Sequence, residues 1–385
     1  MKTKMIPDQS TYKTPGQLIQ DLLRQAGWTQ RVLAIIIGCD ESTLNKIIAG
    51  KRPLDADMAL ALSEVFSVDA ELFMRLQKDY DLAQARLVAR PDPGRSNRAH
   101  LFGNLPVTEM IKRGWIQADD LRNVSQVEAA LTEFFNAATP DEIEILPHAA
   151  KKTDVVGEVT PTQLAWLFRV KQIAKEILVA RYSHEAVIAA IEKLRPLRAT
   201  PEDTRKVPKI LAECGIRFVL VESLIGAKID GVCFWIDEKS PVVGMTIRYD
   251  RIDNFWFVLR HEIEHVLRLH GQGAAIIDAE LEGDRAGNGP DISEEERVAN
   301  EAAAEFCVPT KSMDSFIARK APFFAERDLI GFARTLRIHP GLIAGQLQHR
   351  TKRYERFRAH LAKVREQIAP SSYVDGWGDI YPVGI

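Results

Sequence analysis

Within the stretch FVLRHEIEHVLRLHG, residues 257–271, two histidines stand four positions apart, His261 and His265, with Glu262 directly after the first. On an α-helix, positions i and i+4 differ by about 40° in direction, so both imidazoles reach one point above the same face. Zinc takes imidazole nitrogen well, and a glutamate in this place sits beside the open coordination position. There it accepts a proton from the water that attacks a substrate. The expected roles are His261 and His265 as zinc ligands and Glu262 as general base. The surrounding residues make an apolar helix, where two imidazoles and a carboxylate are costly without a shared partner. Glu264 is expected on the solvated side. His270, turned about 140° from His265, is expected to pack or to support a ligand, not to be one.

A catalytic zinc needs a third protein ligand. The segment SEEERVANEAAAEFCVP, residues 293–309, opens on Ser293 and three glutamates, the acidic first turn of a helix. Dipole complementation accounts for such a turn, but Glu296, with Asn300 one turn later, can do more. Alanines at 299, 302, 303 and 304 let this helix approach closely enough for Glu296 to reach the metal. Asn300 is placed to hold a histidine ligand from behind. His339, in RIHPGL, is the candidate catalytic donor to the oxyanion or substrate, with Tyr249 second; a helix-capping or core role accounts for His339 equally well. The segment from Gly271 to Ser293, rich in glycine and acids, reads as a solvated insertion or a lid.

These residues must be positioned by a chain of 385 residues, long enough for two or three domains. A hydrophobic content of 46%, a charged content of 27% and a net charge of -2 describe an ordinary globular protein and exclude a strongly basic nucleic-acid wrapper. The start, MKTKMIPDQSTYKTPGQ, has no apolar core, and no apolar run is long enough to span a bilayer. No membrane partner and a cytoplasmic location are expected. Cys39, Cys214, Cys233 and Cys307 form no CxxC pair and are expected as reduced thiols.

Short helices with polar punctuation fill the region from about Thr14 to Leu82, several opened by Thr or Asp and closed by Gly27, Gly38 and Gly50. RPDPGRSNRAH, residues 90–100, reads as linker. Helical character resumes at 106–145 and strengthens from Thr160-Pro161 through SHEAVIAAIEKL; Thr200-Pro201-Glu202-Asp203 opens a further helix that ends at Gly215. IRFVLVESL and GVCFWIDEKSPVVGMTI, at 216–224 and 231–247, are rich in β-branched and aromatic residues and predict a small sheet just before the histidine helix. Residues 327–365 are helical again, and the chain closes on an aromatic tail.

The stretch GWTQRVLAIIIGCDESTLNKIIAGKRPLD has the pattern of a helix-turn-helix. Val32, Leu33 and Ile36 are expected to face inward, with Ala34 allowing close packing and Gly38 the tight turn. Leu44 and Ile47 pin the next helix. Ser42, Thr43, Asn45 and Lys46 then face out towards base edges and phosphates, Lys51 and Arg52 towards the backbone, and Gln30 joins this set. Asp40 and Glu41 repel DNA there unless they accept from a cytosine amino group. A helical bundle kept only for dimerisation is the plainer reading.

TQRVLA, STLNKIIAGKR and DADMALALSEVFSVDAELFMRLQ resemble the Cro/C1-type (XRE) helix-turn-helix family and, in detail, HigA-type antitoxins. The resemblance implies a homodimer on an operator, its own promoter first, and a toxin as a further partner. DNFWFVLRHEIEHVLRLH, EEERVANEAAAEFCVP and RIHPGLIAGQLQHR, with IDGVCFWIDEKSPVVGMTIRYD upstream, resemble the ImmA/IrrE family of gluzincin-like metallopeptidases in four blocks and in family order. That resemblance implies Zn2+ on His261, His265 and Glu296. Glu264, Ala302 and Cys307 depart from the family pattern without removing a ligand.

The fold class expected is mainly α with a small β-sheet (α+β): an all-α helix-turn-helix domain at 1–82, a linker at 83–105, a helical connecting region at 106–199, a gluzincin-like metallopeptidase domain at 200–350, and a helix with aromatic tail at 351–385. The function expected is a DNA-binding transcriptional regulator with a zinc-dependent metalloendopeptidase that cleaves itself or a partner helix-turn-helix repressor, of stress-response or toxin–antitoxin type. The alternative is a non-catalytic HigA-like antitoxin or repressor whose zinc fold senses or binds a partner.

Overall fold

The computed structural model describes residues 12–89, 105–118, 123–138, 159–279 and 293–379, with positions 95, 99, 103 and 121 between them. The chain divides into two compact units, Met1–Pro93 and Gly94–Ile385. Most of the expected linker, and the acidic segment that follows Ala279, lie outside the described residues.

Five helices build the first unit: α1 (Pro15–Ala26), α2 (Gln30–Ile37), α3 (Glu41–Ile48), α4 (Ala56–Phe66) and α5 (Ala70–Val88). Thr14, Thr29, Asp55 and Asp69 each accept a backbone N–H at a helix start, and Gly27 and Gly38 close α1 and α2 in the left-handed conformation. Leu18, Ile19, Leu33, Leu44, Leu62 and Phe73 make a continuous core. Two expectations need correction. Helix α5 runs to Val88, past the domain boundary expected at 82, because LAQAR holds no residue that stops a helix. Of the α2 residues expected inside, only Leu33 and Ala34 are buried; Val32 and Ile36 are 39% and 46% exposed, and Ile35 is 73% exposed. VLAIII is an unbroken apolar run of six residues, so its periodicity names no inner face.

The second unit is a mixed sheet between two layers of helix. Its strands are β1 (Arg217–Val221), β2 (Ile229–Trp235), β3 (Pro241–Met245), β4 (Ile276–Ala279) and β5 (Tyr373–Asp375), in the order β4-β2-β3-β1-β5. β1 is parallel to β3 and β5, and β2 is antiparallel to β3 and β4. Alternation divides the strand residues between two cores: Phe218, Leu220, Cys233, Trp235, Val243 and Met245 face one way, and Val219, Val221, Val232, Phe234 and Val242 the other. On the second face lie α6 (Val107–Lys112), α7 (Val124–Phe134) and α8 (Pro161–Glu176). On the first lie α9 (His184–Leu194), α10 (Val207–Glu213), α11 (Ile252–Leu267), α12 (Glu294–Cys307), α13 (Thr310–Lys320), α14 (Glu326–Leu336), α15 (Pro340–Thr351) and the short α16 (Arg365–Ile368). The chain is mostly helical with a small sheet, as the sequence implies. None of the described helices is long and apolar enough to cross a membrane.

The region expected to connect domains instead forms a layer of this body. In α8, the Trp166 indole donates to the Val221 carbonyl at 3.1 Å. The fully buried Arg169 donates through Nε to Asp375 Oδ2 at 2.5 Å, and Trp115 Nε1 donates to Asp375 Oδ1 at 3.0 Å. The aromatic tail therefore contains a strand, β5, whose Asp375 carboxylate is locked into the core. The helix expected from Thr200 is split into a 3-10 turn, Pro201–Lys206, and α10, because Pro208 has no N–H to continue one ladder. All four cysteines are free.

Asp375→Ala leaves Arg169 charged and buried without its carboxylate, a loss of about 3–5 kcal/mol. The expected outcome is a lower urea midpoint for the second unit with the unfolding of α1–α5 unchanged, read by circular dichroism; an unchanged midpoint refutes the structural role of this pair.

Candidate functional site

Helix α11 starts at Ile252, after Arg251 in the N-cap position, and buries most of its circumference against the sheet and α12. Small residues allow the second contact: Ala299 and Ala303, one turn apart on α12, have no exposed surface. The same face carries Glu296 in the first turn, where Ser293 Oγ accepts the Glu296 N–H. His261, Glu262 and His265 consequently point into a closed space between α11, α12 and the edge strand β4.

Four side chains meet there: His261, His265, Glu296 and Asp278, with one ligand atom from each lying within 4.8 Å of all the others. The two Nε2 atoms are 3.0 Å apart. His261 Nε2 is 3.3 Å from Glu296 Oε2 and 3.4 Å from Asp278 Oδ2. His265 Nε2 is 3.4 Å from Glu296 Oε1 and 3.9 Å from Asp278 Oδ2. Glu262 lies beside this group with no exposed surface, and neither of its carboxylate oxygens has a hydrogen-bond partner. Room for it exists because residue 231 is glycine: a Cβ there would stand 2.0 Å from Glu262 Oε1.

The electrostatics are those of a site short of positive charge. Burial, then the neighbouring Asp278 and Glu296 charges, push the Glu262 carboxyl well above the usual range. Burial also raises Glu296, and it disfavours the charged form of His265, whose pKa falls to about 4. Against the same burial, Asp278 and Glu296 drive His261 up to about 10. One imidazolium thus stands among two buried acids and the half-buried Glu296. A dication at the four ligand atoms would supply the missing charge, and imidazole with carboxylate is a donor set that zinc accepts. The residues fit the metal.

Several sequence expectations meet different outcomes here. Glu264 is buried, not solvated; it is held by Arg260 at 2.7 Å and Arg268 at 3.0 Å, one turn to either side. Asn300 is half-buried and makes no hydrogen bond to a histidine. His270 stands behind His265 instead, Nδ1 to Nδ1 at 3.0 Å. His339 caps α15: its Nδ1 accepts the Gly341 N–H at 3.0 Å, the helix-capping role that the sequence allowed beside the catalytic one. Tyr249 OH accepts from Arg248 at 2.7 Å. Asp278 was missed altogether. Its strand, IIDA, is too short for alternation to register, and Ile276-Ile277 is the one β signal in that acidic segment.

In the first unit, Gly38 (φ 72°) turns the chain between α2 and α3. Ser42, Asn45 and Lys46 on α3 are exposed, and Thr43 and Gln30 are half-buried. The Lys46 carbonyl accepts the N–H groups of Lys51 and Arg52 at 2.8 and 3.1 Å, so both basic residues are held against the end of α3. Asp40 precedes α3 without a side-chain capping bond, and it and Glu41 are exposed.

Residues 19–73 match the helix-turn-helix family. The chain is 32% identical over 72 residues, 18% of its length, to the virulence-associated protein I of Dichelobacter nodosus, of which it covers 67%. It is 29% identical over 76 residues, 20% of its length, to the uncharacterised HTH-type transcriptional regulator YddM of Escherichia coli, of which it covers 81%. Among solved structures, the Pseudomonas aeruginosa antitoxin HigA with the higBA promoter is 30% identical, covering 20% of this chain and 83% of that one, with a TM-score of 0.19. By residues 19–73 the chain belongs to the helix-turn-helix family, and its first unit is an XRE-type DNA-binding domain of the transcription-regulator class.

Proposed function

We propose that this chain is a transcriptional regulator whose second unit is a zinc metallopeptidase of the ImmA/IrrE kind, which cleaves itself or a partner repressor. The observation that carries the reading is Glu262: a fully buried carboxylate with no hydrogen-bond partner, beside two imidazoles and two further acids. A structural metal site has no use for such a group, whose burial is costly. His261, His265 and Glu296 would hold the zinc, which when bound polarises water and the scissile carbonyl. Glu262 takes the proton from the attacking water and returns it to the leaving amine nitrogen as the carbon–nitrogen bond breaks. His270 orients the His265 ring through Nδ1. Water exclusion comes from the apolar surroundings of α11.

The first unit supplies the address. Ser42, Thr43, Asn45 and Lys46 would meet base edges and phosphates of a short inverted repeat, its own promoter first, with the chain as a dimer; Lys51 and Arg52 would bind the DNA backbone. A second reading has one observation in its favour. Asp278 Oδ2 stands 3.4 Å from His261 Nε2, among the other ligand atoms, which would suit a non-catalytic HigA-like antitoxin or repressor whose zinc fold senses or binds a toxin or another partner.

Three measurements test these readings. Purified wild type is expected to hold one zinc per chain, and Glu296→Ala to lose most of it; undiminished zinc in the variant removes Glu296 from the ligand set. Glu262→Gln keeps zinc and DNA binding but lowers cleavage of the chain or of a co-expressed repressor by roughly 100- to 10,000-fold, read on gels after stress. If wild type cleaves nothing under any stress while Glu262→Gln regulates normally, the antitoxin reading replaces the peptidase. Lys46→Ala is expected to weaken operator binding and to reduce the slope of log affinity against log salt by about one. An unchanged slope places Lys46 away from the DNA.

A further inference from the structure

We propose that Asp278 is the fourth protein ligand of this zinc centre and keeps it closed in the resting chain, an inference that rests on the zinc reading above. With bonds of about 2.0 Å, a tetrahedral zinc has ligand–ligand edges of about 3.3 Å. Among the four side chains, the separations to His261 and His265 are 3.0, 3.3, 3.4, 3.4 and 3.9 Å. Asp278 Oδ2, at 3.4 and 3.9 Å from the two imidazole nitrogens, stands a little farther out than the Glu296 oxygens at 3.3 and 3.4 Å, but within the same cluster of ligand atoms. It is a buried carboxylate oxygen paired with His261 Nε2 at 3.4 Å and with His265 Nε2 at 3.9 Å. β4 holds it there: the strand pairs with β2 so that Asp278 lies opposite Gly231, the residue that makes room for Glu262.

Catalytic zinc sites keep one position open, and structural sites are closed by four protein ligands. This site has features of both, four converging ligands and a buried base. A purely structural site leaves Glu262 unexplained, and an open catalytic site leaves Asp278 unexplained. A latent centre accounts for both: Asp278 and the attacking water compete for one position, and hydrolysis begins only when Asp278 withdraws. The chain then carries its own restraint on the strand that borders the site.

The test uses the full-length protein loaded with zinc or with cobalt(II), and acetohydroxamate as a small probe of an open metal position. Wild type is expected to give a four-coordinate cobalt spectrum that acetohydroxamate does not move. Asp278→Ala and Asp278→Asn are expected to bind the probe at least about tenfold more tightly and to hold zinc about tenfold or more weakly. Wild type that binds the probe as tightly as the variants, with equal zinc affinity, overturns the proposal and leaves the zinc reading standing. Wild type that takes up neither metal overturns both. Should neither variant fold, the wild-type spectrum decides alone: a shift with the probe means an open site, and no shift means a closed one.

Discussion

Three carboxylates and two imidazoles share the space between one helix pair and the edge of a sheet, and the second unit is arranged around making that tolerable. Buried charge without compensation is among the most costly things a protein can contain. The neighbouring structure offers these groups little: Glu262 has no hydrogen-bond partner, His261 Nδ1 has none, and the positive charge within reach is the imidazolium of His261 itself. Everything around the cluster serves proximity instead. Ala299 and Ala303 bring α12 against α11, Gly231 lets a carboxylate lie on β2, and the β2–β4 pairing sets Asp278 opposite that glycine. Such a layout is under-neutralised alone and would be completed by the proposed metal ion.

How much of this was legible depends on the range over which each residue acts. His261, Glu262 and His265 were readable because their relation is local, fixed by one helical turn. Glu296 was readable because its helix announces itself with a cap, an acidic turn and alanines at contact spacing. Asp278 was not, because only pairing with β2 places it, and a four-residue strand carries no alternation of its own. Strand β5 escaped for the same reason, and with it the buried pair of Arg169 and Asp375, 206 residues apart. Asn300 and His339 show the opposite error: each has a plausible local pattern, but His270 occupies the place behind His265, and His339 is engaged by the backbone of its own helix.

The first unit was legible almost helix by helix, since capping residues and left-handed glycines mark each boundary. What misled was α2, where an unbroken apolar run hides its inner face. The outcome is a surface with Val32, Ile35 and Ile36 turned outward. Three aliphatic side chains on an eight-residue helix are a large apolar fraction for an exposed element. Their place next to the turn at Gly38 sets this patch close to the polar face of α3.

Gly231 has a meaning for reading other chains of this kind. No side chain fits there while Glu262 keeps its place, because even a methyl group would coincide with the carboxylate. A sequence with the two histidines and the glutamate intact, but with alanine or anything larger at the equivalent of position 231, would look like a complete hydrolase by its motif. It would nonetheless have its base displaced. The glycine on β2 is thus a second signature, distant from the histidines along the chain, that distinguishes a motif able to work from one that is only spelled correctly.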